Sequence, residues 1–291
     1  MIRYREADFA PIRHLGGTTP GWPIGYRDLE PHYQAAEALY QVRGCLGEDP
    51  SEPPHSGDYP HPPVPDEPDI ADLCHRLARI GLHPAPLPLA VDLDRWLAHG
   101  RTPWDAFPDI CGGKLDGETA GLATALANDN VTLRTATRAQ RLIADGAGRI
   151  IGVEVETGDT RETLTAPIVA LAAGAVQTAA LLLASADDRH PAGLANSSDQ
   201  VGRNFMNHNA SAVLALHPFR KNRAVYQKTL MVNDYYLTGA PDGAPLGNIQ
   251  LLGKITGPIL AATSPLPRPV ANWVAARAVD RWEVEVGPAV F

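Results

Sequence analysis

The spacing of apolar side chains predicts two helices in the first third of the chain. Residues 26–43 repeat apolar positions at helical intervals, with Asp28 as the expected N-cap and Gly44 as the stop. Residues 69–80 repeat the pattern. The stretch 50–68 between them carries too many prolines for regular structure, because proline fixes φ and removes a backbone donor. We expect it to be an extended connection.

Alternating apolar and polar positions predict a β-meander in the middle of the chain. Residues 131–135 and 138–144 alternate, the turn at 145–148 reverses the chain, and residues 150–157 run back as a second arm. A further turn at Gly158 leads towards the next apolar segment.

That apolar segment is expected to be a buried strand, residues 167–175, followed by a helix, residues 176–186. Read as one element, the uncharged run 166–186 is about long enough to span a bilayer. Gln177 and Thr178 in its middle, and the lack of flanking Lys or Arg clusters, argue against a membrane span. We therefore expect no transmembrane segment. A short helix is also expected at residues 119–128.

Composition narrows the function classes. The 291 residues are 44% hydrophobic and 20% charged, which suits a folded chain of one large domain or two. A formal charge of -8 disfavours binding to a phosphate backbone, so nucleic acid is not an expected partner. Cys45, Cys74 and Cys111 are widely spaced and are expected to be free thiols. The first residues are charged and show no secretory leader, which leaves cytoplasmic and periplasmic locations both open.

Familiar catalytic and binding motifs fail on inspection. Residues 146–152 imitate a dinucleotide-binding GxGxxG but precede a strand, so we interpret them as a hairpin turn. Residues 112–114 imitate a phosphate loop, but Leu115 replaces the Ser or Thr that would contact magnesium. No GxSxG nucleophile elbow or metal-ligating spacing is present. The histidines are interpreted as scattered surface residues: His55, His61, His75, His83 and His99.

Two later segments are more distinctive, AAGAVQTAALLLAS at 172–185 and VGRNFMNH at 201–208. They resemble the AGAxxTPxLLLxS signature and the VGRNLMDH motif of the glucose-methanol-choline (GMC) family, FAD-dependent enzymes that oxidise alcohols and sugars. Other segments resemble the same family in the same order: WPIGYRDLEPHY (22–33), TPWDAFPD (102–109), NVTLRTATRAQRL (130–142), YQKTLMVNDYYL (226–237) and GNIQLLGK (247–254).

The resemblance implies where FAD would be held. Ala139 stands where family members use a backbone amide and carbonyl to recognise the adenine edge. Ala173, Gly174 and Ala175 resemble the turn packed near the adenosine half, where a larger side chain would collide. Tight strand-to-helix packing without a ligand explains that turn equally well.

Asn204 and His208 are expected near the cofactor on the substrate-domain side, although residues that cap a loop would give the same pattern. The resemblance also implies two missing parts. The strand-GxGxxG-helix unit that binds the pyrophosphate has no counterpart here, nor does the C-terminal domain with the general-base histidine. No catalytic residue is therefore named.

The fold expected from the resemblance is α/β, an incomplete doubly wound FAD-binding domain with a β-meander over residues 1–205, followed by the start of a substrate domain over residues 206–291. The implied reaction is hydride transfer from the CH–OH group of an alcohol, sugar or polyol to FAD, and the electron acceptor stays open between oxygen, a quinone and a cytochrome. Two interpretations stay open. The chain is an internal piece of such an enzyme, inactive alone, or it is a catalytically silent remnant that binds an adenine nucleotide.

Overall fold

The chain forms two compact units in a computed structural model, and each is described separately. Unit 1 combines Met1–Ala127 with Asn209–Phe291, and unit 2 is Asn128–His208. The structure describes residues 2–14, 16–97, 109, 111–207, 211–217, 223–226, 228–239, 243–251, 253–254, 261–262, 264–281 and 283–290. Among these residues, no helix combines the length and the apolar character needed to cross a membrane.

The two predicted helices of unit 1 form, with one correction at the start of the first. Helix α1 spans Tyr26–Leu39, and its N-cap is Gly25, not Asp28. Asp28 lies in the first turn, where its carboxylate accepts the Gly25 N–H at 2.8 Å, so it stabilises the same helix end from inside the helix. The helix also stops before residue 43, because Gln41 takes a left-handed φ of 49°.

Helix α2 spans Pro68–Arg79, which confirms the second prediction. Residues 50–67, all described, contain no helix or strand, as the prolines predict. Further helical elements in the described residues of this part of the chain are α3 (Leu93–Trp96), a π-turn (Gly117–Leu122) that runs into α4 (Ala123–Leu126), and a 3-10 turn at Glu6–Phe9.

Strands from distant parts of the sequence build the main sheet of unit 1, and the described strand pairs are antiparallel. Strand β3 (Pro84–Pro86) lies at one edge of this sheet. That position tolerates its two prolines, because the backbone of an edge strand need not donate hydrogen bonds on both sides. A separate hairpin joins β1 (Ile12–His14) to β2 (Gly17–Thr19). The main-sheet strands are β3 (Pro84–Pro86), β7 (Ser211–His217), β8 (Leu230–Val232), β9 (Ile249–Leu251), β10 (Gly253–Lys254) and β11 (Glu283–Val290), with α6 (Arg268–Arg281) preceding β11.

Buried polar side chains tie the start of the chain to this unit. The Arg3 guanidinium donates to both carboxylate oxygens of Glu37 on α1, at 2.7 and 2.6 Å. Arg5 donates to Asp49 at 2.5 Å, and Asp49 also accepts from Asn233 beside β8 at 2.6 Å. Because buried charges are costly unless paired, these contacts fix the N-terminal segment against α1 and the sheet.

Apolar packing in unit 1 is divided into small clusters. Ala85, Leu87 and Met231 form one around the β3–β8 pair. Val64, Val91 and Trp96 form another. The cores are small because few large apolar side chains are fully buried in the described residues.

Unit 2 contains the predicted meander. Strands β4 (Thr137–Ala144) and β5 (Ile150–Thr157) form an antiparallel hairpin whose turn is closed by Asp145, as expected. A third strand, β6 (Thr160–Leu164), was not predicted, because its residues are all exposed and carry no apolar alternation. The expected strand at 131–135 is wrong, since those residues form no ladder.

The apolar segment 167–175 does not form the predicted strand, although the helix after it does form, as α5 (Gly174–Ala184). A strand needs hydrogen-bonding neighbours, and no described strand pairs with this segment. Ile168 is consequently 85% exposed. The mixture of helices and strands agrees with an α/β fold, and the doubly wound sheet stays a prediction.

Candidate functional site

The turn predicted to approach a nucleotide is the N-terminus of α5. Ala173 is the N-cap residue and makes no side-chain cap hydrogen bond, so its side chain leaves the first N–H groups of the helix unsatisfied. Gly174 has a left-handed φ of 81°, which glycine adopts without strain. Ala173 and Ala175 are exposed. An 11-residue helix with an uncapped, exposed N-terminus offers partial positive charge to a negative ligand.

The structure gives a backbone reason for glycine at position 174, and the expected collision of a larger side chain with adenosine stays a prediction. A Cβ built on Gly174 meets no atom within 4 Å, so a side chain there would not collide with the chain itself. The requirement comes from the backbone conformation, and the space beside the turn is open. Room for a ligand is therefore present.

Ala139 lies on β4, the outer strand of the meander, opposite Val155 of β5. An outer strand has one edge that its neighbour does not pair. On β4 that edge is used at Leu142, whose N–H donates to Ser185 Oγ at the end of α5, at 2.9 Å. The β4–β5 ladder shifts register between Ala139 and Arg141. Such an irregularity changes the direction of the backbone beside Ala139, the predicted adenine-binding residue.

Ser185 links the C-terminal end of α5 to the meander. Its hydroxyl also donates to Leu181 O at 2.6 Å, and Arg141 Nη2 donates to Ala186 O at 3.0 Å. These bonds hold the C-terminal end of α5 against β4 within unit 2. Ala139 and the predicted turn therefore lie on two elements in contact, but the described bonds join β4 to the C-terminal end of α5, and Ala173, Gly174 and Ala175 lie at its other end.

Asn204 lies in the turn-rich segment after α5, where it is exposed and has a left-handed φ of 55°. Its Nδ2 donates to Gln200 Oε1 at 3.0 Å. This local bond fits the loop-capping interpretation, because asparagine tolerates the left-handed region and bonds to nearby groups. His208, the last predicted cofactor residue, lies outside the described residues.

The structure explains why the glycine pair at 112–113 is not a phosphate loop. The Asp109 carboxylate accepts N–H bonds from Cys111, Gly113 and Lys114, the donors that a phosphate would need. Burial raises the pKa of Asp109, but these backbone bonds lower it by more than burial raises it, so the net shift is downward. Of the similar segment at 102–109, only Asp109 is described.

Titratable groups elsewhere correct one prediction and confirm another. The His55 side chain is buried, not on the surface, with its ring edge-on to Tyr59 and Nε2 3.2 Å from Glu52 Oε1. Burial and the positive charge of Arg3 lower the pKa of His55. Cys45, Cys74 and Cys111 are free, as expected, and burial raises the pKa of Cys74 to about 11. Among the described residues no group of His, Cys, Asp and Glu could hold a metal ion.

Sequence reasoning missed a pair formed by His83 and Asp234, whose Nδ1 and Oδ1 atoms are 2.7 Å apart. The two residues are 151 positions apart, and although Asp234 lies in the segment 226–237 that resembles the GMC family, no motif links it to His83. The pairing of β3 with β8 was the signal that could have revealed them, but strands of three residues are too short to predict from spacing.

Comparison with known proteins gives a consistent result. Residues 106–210 match the family model described as GMC oxidoreductase. The 6'''-hydroxyparomomycin C oxidase of Streptomyces lividus is 34% identical over 216 residues, 69% of this chain and 38% of that protein. The 2-methyl-1,2-propanediol dehydrogenase of Mycolicibacterium austroafricanum is 32% identical over 222 residues, 71% of this chain and 38% of that protein.

A third relative, the fructose dehydrogenase large subunit of Gluconobacter japonicus, is 28% identical over 218 residues, again 71% of this chain and 38% of the relative. The chain thus matches well under half the length of these curated relatives. The family model covers both β4 and α5, the two elements that carry the candidate cofactor residues, and extends beyond Asn204. The chain belongs to the GMC oxidoreductase family.

Proposed function

We propose that this chain forms part of an FAD-dependent oxidoreductase that acts on CH–OH groups of alcohols, sugars or polyols. The observation that carries the proposal is the match of residues 106–210 to the GMC family, together with relatives named as oxidases and dehydrogenases of such compounds. The family generally binds FAD. A quinone or cytochrome as electron acceptor belongs to the same proposal.

The residues of unit 2 fit the adenosine half of FAD. The uncapped N-terminus of α5 presents backbone N–H groups, and Gly174 leaves open space beside them. Ala173 and Ala175 add only methyl groups. We infer that Ala139 contributes backbone hydrogen bonds from the β4 edge and that this turn accommodates the ribose or phosphate.

When bound, FAD would supply the acceptor for the hydride of the substrate carbon. The chain's own residues would bind and orient the adenosine portion of the cofactor. Asn204 and His208 belong to the proposed cofactor surface. No described residue is assigned to proton transfer, so the catalytic base is not placed on this chain.

Titration of the purified chain with FAD, followed by flavin fluorescence, tests the binding step. Replacing the exposed Ala175 by Leu should fill the space beside the helix N-terminus and weaken FAD binding about tenfold, which corresponds to roughly 1.4 kcal/mol. Ala184→Leu, at an exposed position on the other end of α5, is the matched control and should bind FAD normally. Equal binding by both variants would remove the turn from the site, and absence of FAD binding by a longer protein that contains the chain would refute the cofactor assignment.

The redox step needs a second experiment. Sequencing the DNA on both sides of this reading frame would establish which longer protein, if any, contains the chain, and that protein is then mixed with alcohols and sugars without oxygen. Bleaching of the flavin absorption supports the oxidoreductase. Binding of FAD or AMP without bleaching by any substrate supports the alternative, an adenine-nucleotide-binding module without redox activity.

A further inference from the structure

A cleft of about 380 Å³ in unit 1 lies beside the segment that follows α1 and the first turn of α3. Its volume falls in the range of small-molecule sites. Val91, Leu93 and Leu115 supply apolar lining, and Arg43 and Asp94 bring opposite charges into the same cleft. The charges decide which ligands this cleft can accept.

The backbone of Arg43 is held from both sides. Its N–H donates to Leu89 O at 2.8 Å, and its carbonyl accepts from the Leu89 N–H at 3.0 Å. On the other side, the Gly44 N–H donates to His61 O at 3.1 Å. Because neighbouring segments bond to both flanks of this residue, the Arg43 side chain extends from a rigid base.

The Arg43 guanidinium is oriented but not neutralised. Its Nε donates to Val91 O and its Nη1 donates to Pro62 O, each at 3.3 Å. Both acceptors are uncharged backbone carbonyls, and no described carboxylate forms an ion pair with Arg43. A guanidinium has five N–H donors in a planar fork, so donors on Nη1 and Nη2 remain for a ligand. A carboxylate matches that fork in charge and geometry.

Asp94, in the first turn of α3, supplies the negative charge. It is exposed, and within the described ranges its carboxylate has no hydrogen bond or ion pair. The nearby Asp92 carboxylate is engaged instead, because it accepts from the backbone N–H groups of Asp94 and Arg95 at 3.1 and 3.2 Å. Arg43 and Asp94 do not pair with each other, so the cleft keeps one positive and one negative group for a ligand.

His61 adds an acceptor to the lining of the cleft. Gln41 Nε2 donates to Ala38 O at 2.6 Å, which turns Gln41 Oε1 towards His61 Nε2, 2.8 Å away. Since an amide oxygen only accepts, His61 Nε2 carries the proton. In the neutral imidazole Nδ1 is then an acceptor, which suits an N–H group of a ligand.

We propose that this cleft binds the zwitterion of an amino acid, with the ligand carboxylate on Arg43 and the ligand ammonium group beside Asp94. A simple anion would be attracted by Arg43 and repelled by Asp94, and a simple cation would meet the reverse. A zwitterion satisfies both groups, and its aliphatic part would pack against the apolar lining. The inference goes beyond the proposed function and depends on neither flavin nor a redox step.

Calorimetric titration of the full chain, without flavin, tests the assignment with four probes. L-Alanine and 4-aminobutanoate carry both charges at different spacings, and acetate and ethylamine carry one charge each. We expect at least one amino acid to bind about tenfold more tightly than acetate or ethylamine. Absence of binding by both amino acids, or acetate binding as tightly as they do, would overturn the proposal.

Two variants test the two charges separately. Arg43→Gln should weaken binding of the amino acid about tenfold, whereas Arg79→Gln, at an exposed arginine in the last turn of α2, should bind normally. Asp94→Asn should weaken amino-acid binding about threefold, as suits an exposed pair, without weakening acetate binding. Its control is Glu118→Gln, at an exposed acidic residue in the first turn of another short helical element.

Folding is verified by circular dichroism, because Arg43→Gln also removes two bonds to backbone carbonyls. If that variant does not fold, Asp94→Asn decides the question, since Asp94 is exposed and its backbone bond to Asp92 is retained. Unchanged amino-acid binding in Asp94→Asn, or in folded Arg43→Gln, contradicts the assignment. These outcomes are independent of the FAD titration.

Discussion

Replacing Glu37 by glutamine isolates the charge of one buried ion pair. Glu37 and Arg3 are each only 2% exposed at the side chain, and two hydrogen bonds of 2.7 and 2.6 Å join them. Glutamine keeps the shape of the side chain but removes its negative charge. The Arg3 guanidinium then stays buried with weaker partners, Tyr26 at 2.9 Å and Glu30 at 3.2 Å.

The expected loss follows from those partners. Removing one member of a buried pair costs about 3–5 kcal/mol, because the remaining charge is left uncompensated. An arginine side chain stays protonated in proteins, so Arg3 keeps its positive charge when Glu37 is replaced. Since Glu30 still compensates part of that charge, we expect about 3 kcal/mol, the lower end of the range.

Urea unfolding followed by tryptophan fluorescence measures this loss. All tryptophans of the sequence fall within the residue ranges of unit 1, so the signal reports on the unit that contains Glu37. The exposed pair Arg76–Asp72 provides the control, and Asp72→Asn should change the free energy of unfolding by less than about 1 kcal/mol. A change below about 1 kcal/mol for Glu37→Gln would refute the reasoning.

Three further expectations concern other features. Gly174→Ala should destabilise the start of α5 by about 1 kcal/mol through its left-handed backbone, seen as faster hydrogen exchange in α5. Burial raises the pKa of Asp234, but the bonds from His83 lower it by more, so the net shift is downward. The ionised carboxylate therefore stabilises unit 1 above pH 3.8, the ordinary pKa of the group, and this stabilisation is lost as the pH falls below that value. The urea midpoints of wild type and Asp234→Asn should consequently converge in acid. Ile168→Lys should reduce concentration-dependent association, measured by light scattering, because it places a charge in an exposed apolar segment.

Matched variants separate these effects from general ones. Gly117 also has open space around a built Cβ but no left-handed φ, so Gly117→Ala should not destabilise the chain, and equal losses would contradict the backbone argument. Ile80→Lys changes another highly exposed isoleucine, 73% exposed, at the end of α2. If Ile80→Lys lowers association as much as Ile168→Lys, the apolar segment 167–175 is not the cause of the association. A constant difference between wild type and Asp234→Asn across the acid range would contradict the pH prediction.

The sequence predicted the elements whose stability is local. α2, α5 and the β4–β5 hairpin follow from apolar spacing and turn residues close to one another in the chain. The strand prediction for segment 167–175 was wrong. Its apolar residues match the pattern of a buried strand, but a strand also needs a neighbouring strand to pair with, and no described strand pairs with this segment.

The candidate sites divide in the same way. Gly174 and Ala139 were proposed from consecutive motifs, and the structure adds that Gly174 has a left-handed backbone conformation. The His83–Asp234 pair could not be found, because it depends on a ladder between strands far apart in sequence. His55 was misjudged for a related reason, since its burial arises from the fold of a proline-rich segment without periodicity.

The discontinuity of unit 1 has a consequence for synthesis on the ribosome. The Tyr236 hydroxyl donates to Asp8 at 2.8 Å across 228 residues of sequence, and unit 2 is encoded between the two parts of unit 1. Long-range contacts of this kind slow folding, because a long loop must close before they form. The strands of the β4–β6 meander pair locally, so the meander can fold before β8, a strand of unit 1, has been translated. Slower translation through residues 209–291 would therefore prolong the time in which Asp8 and Asp49 have partners only from the first part of the chain.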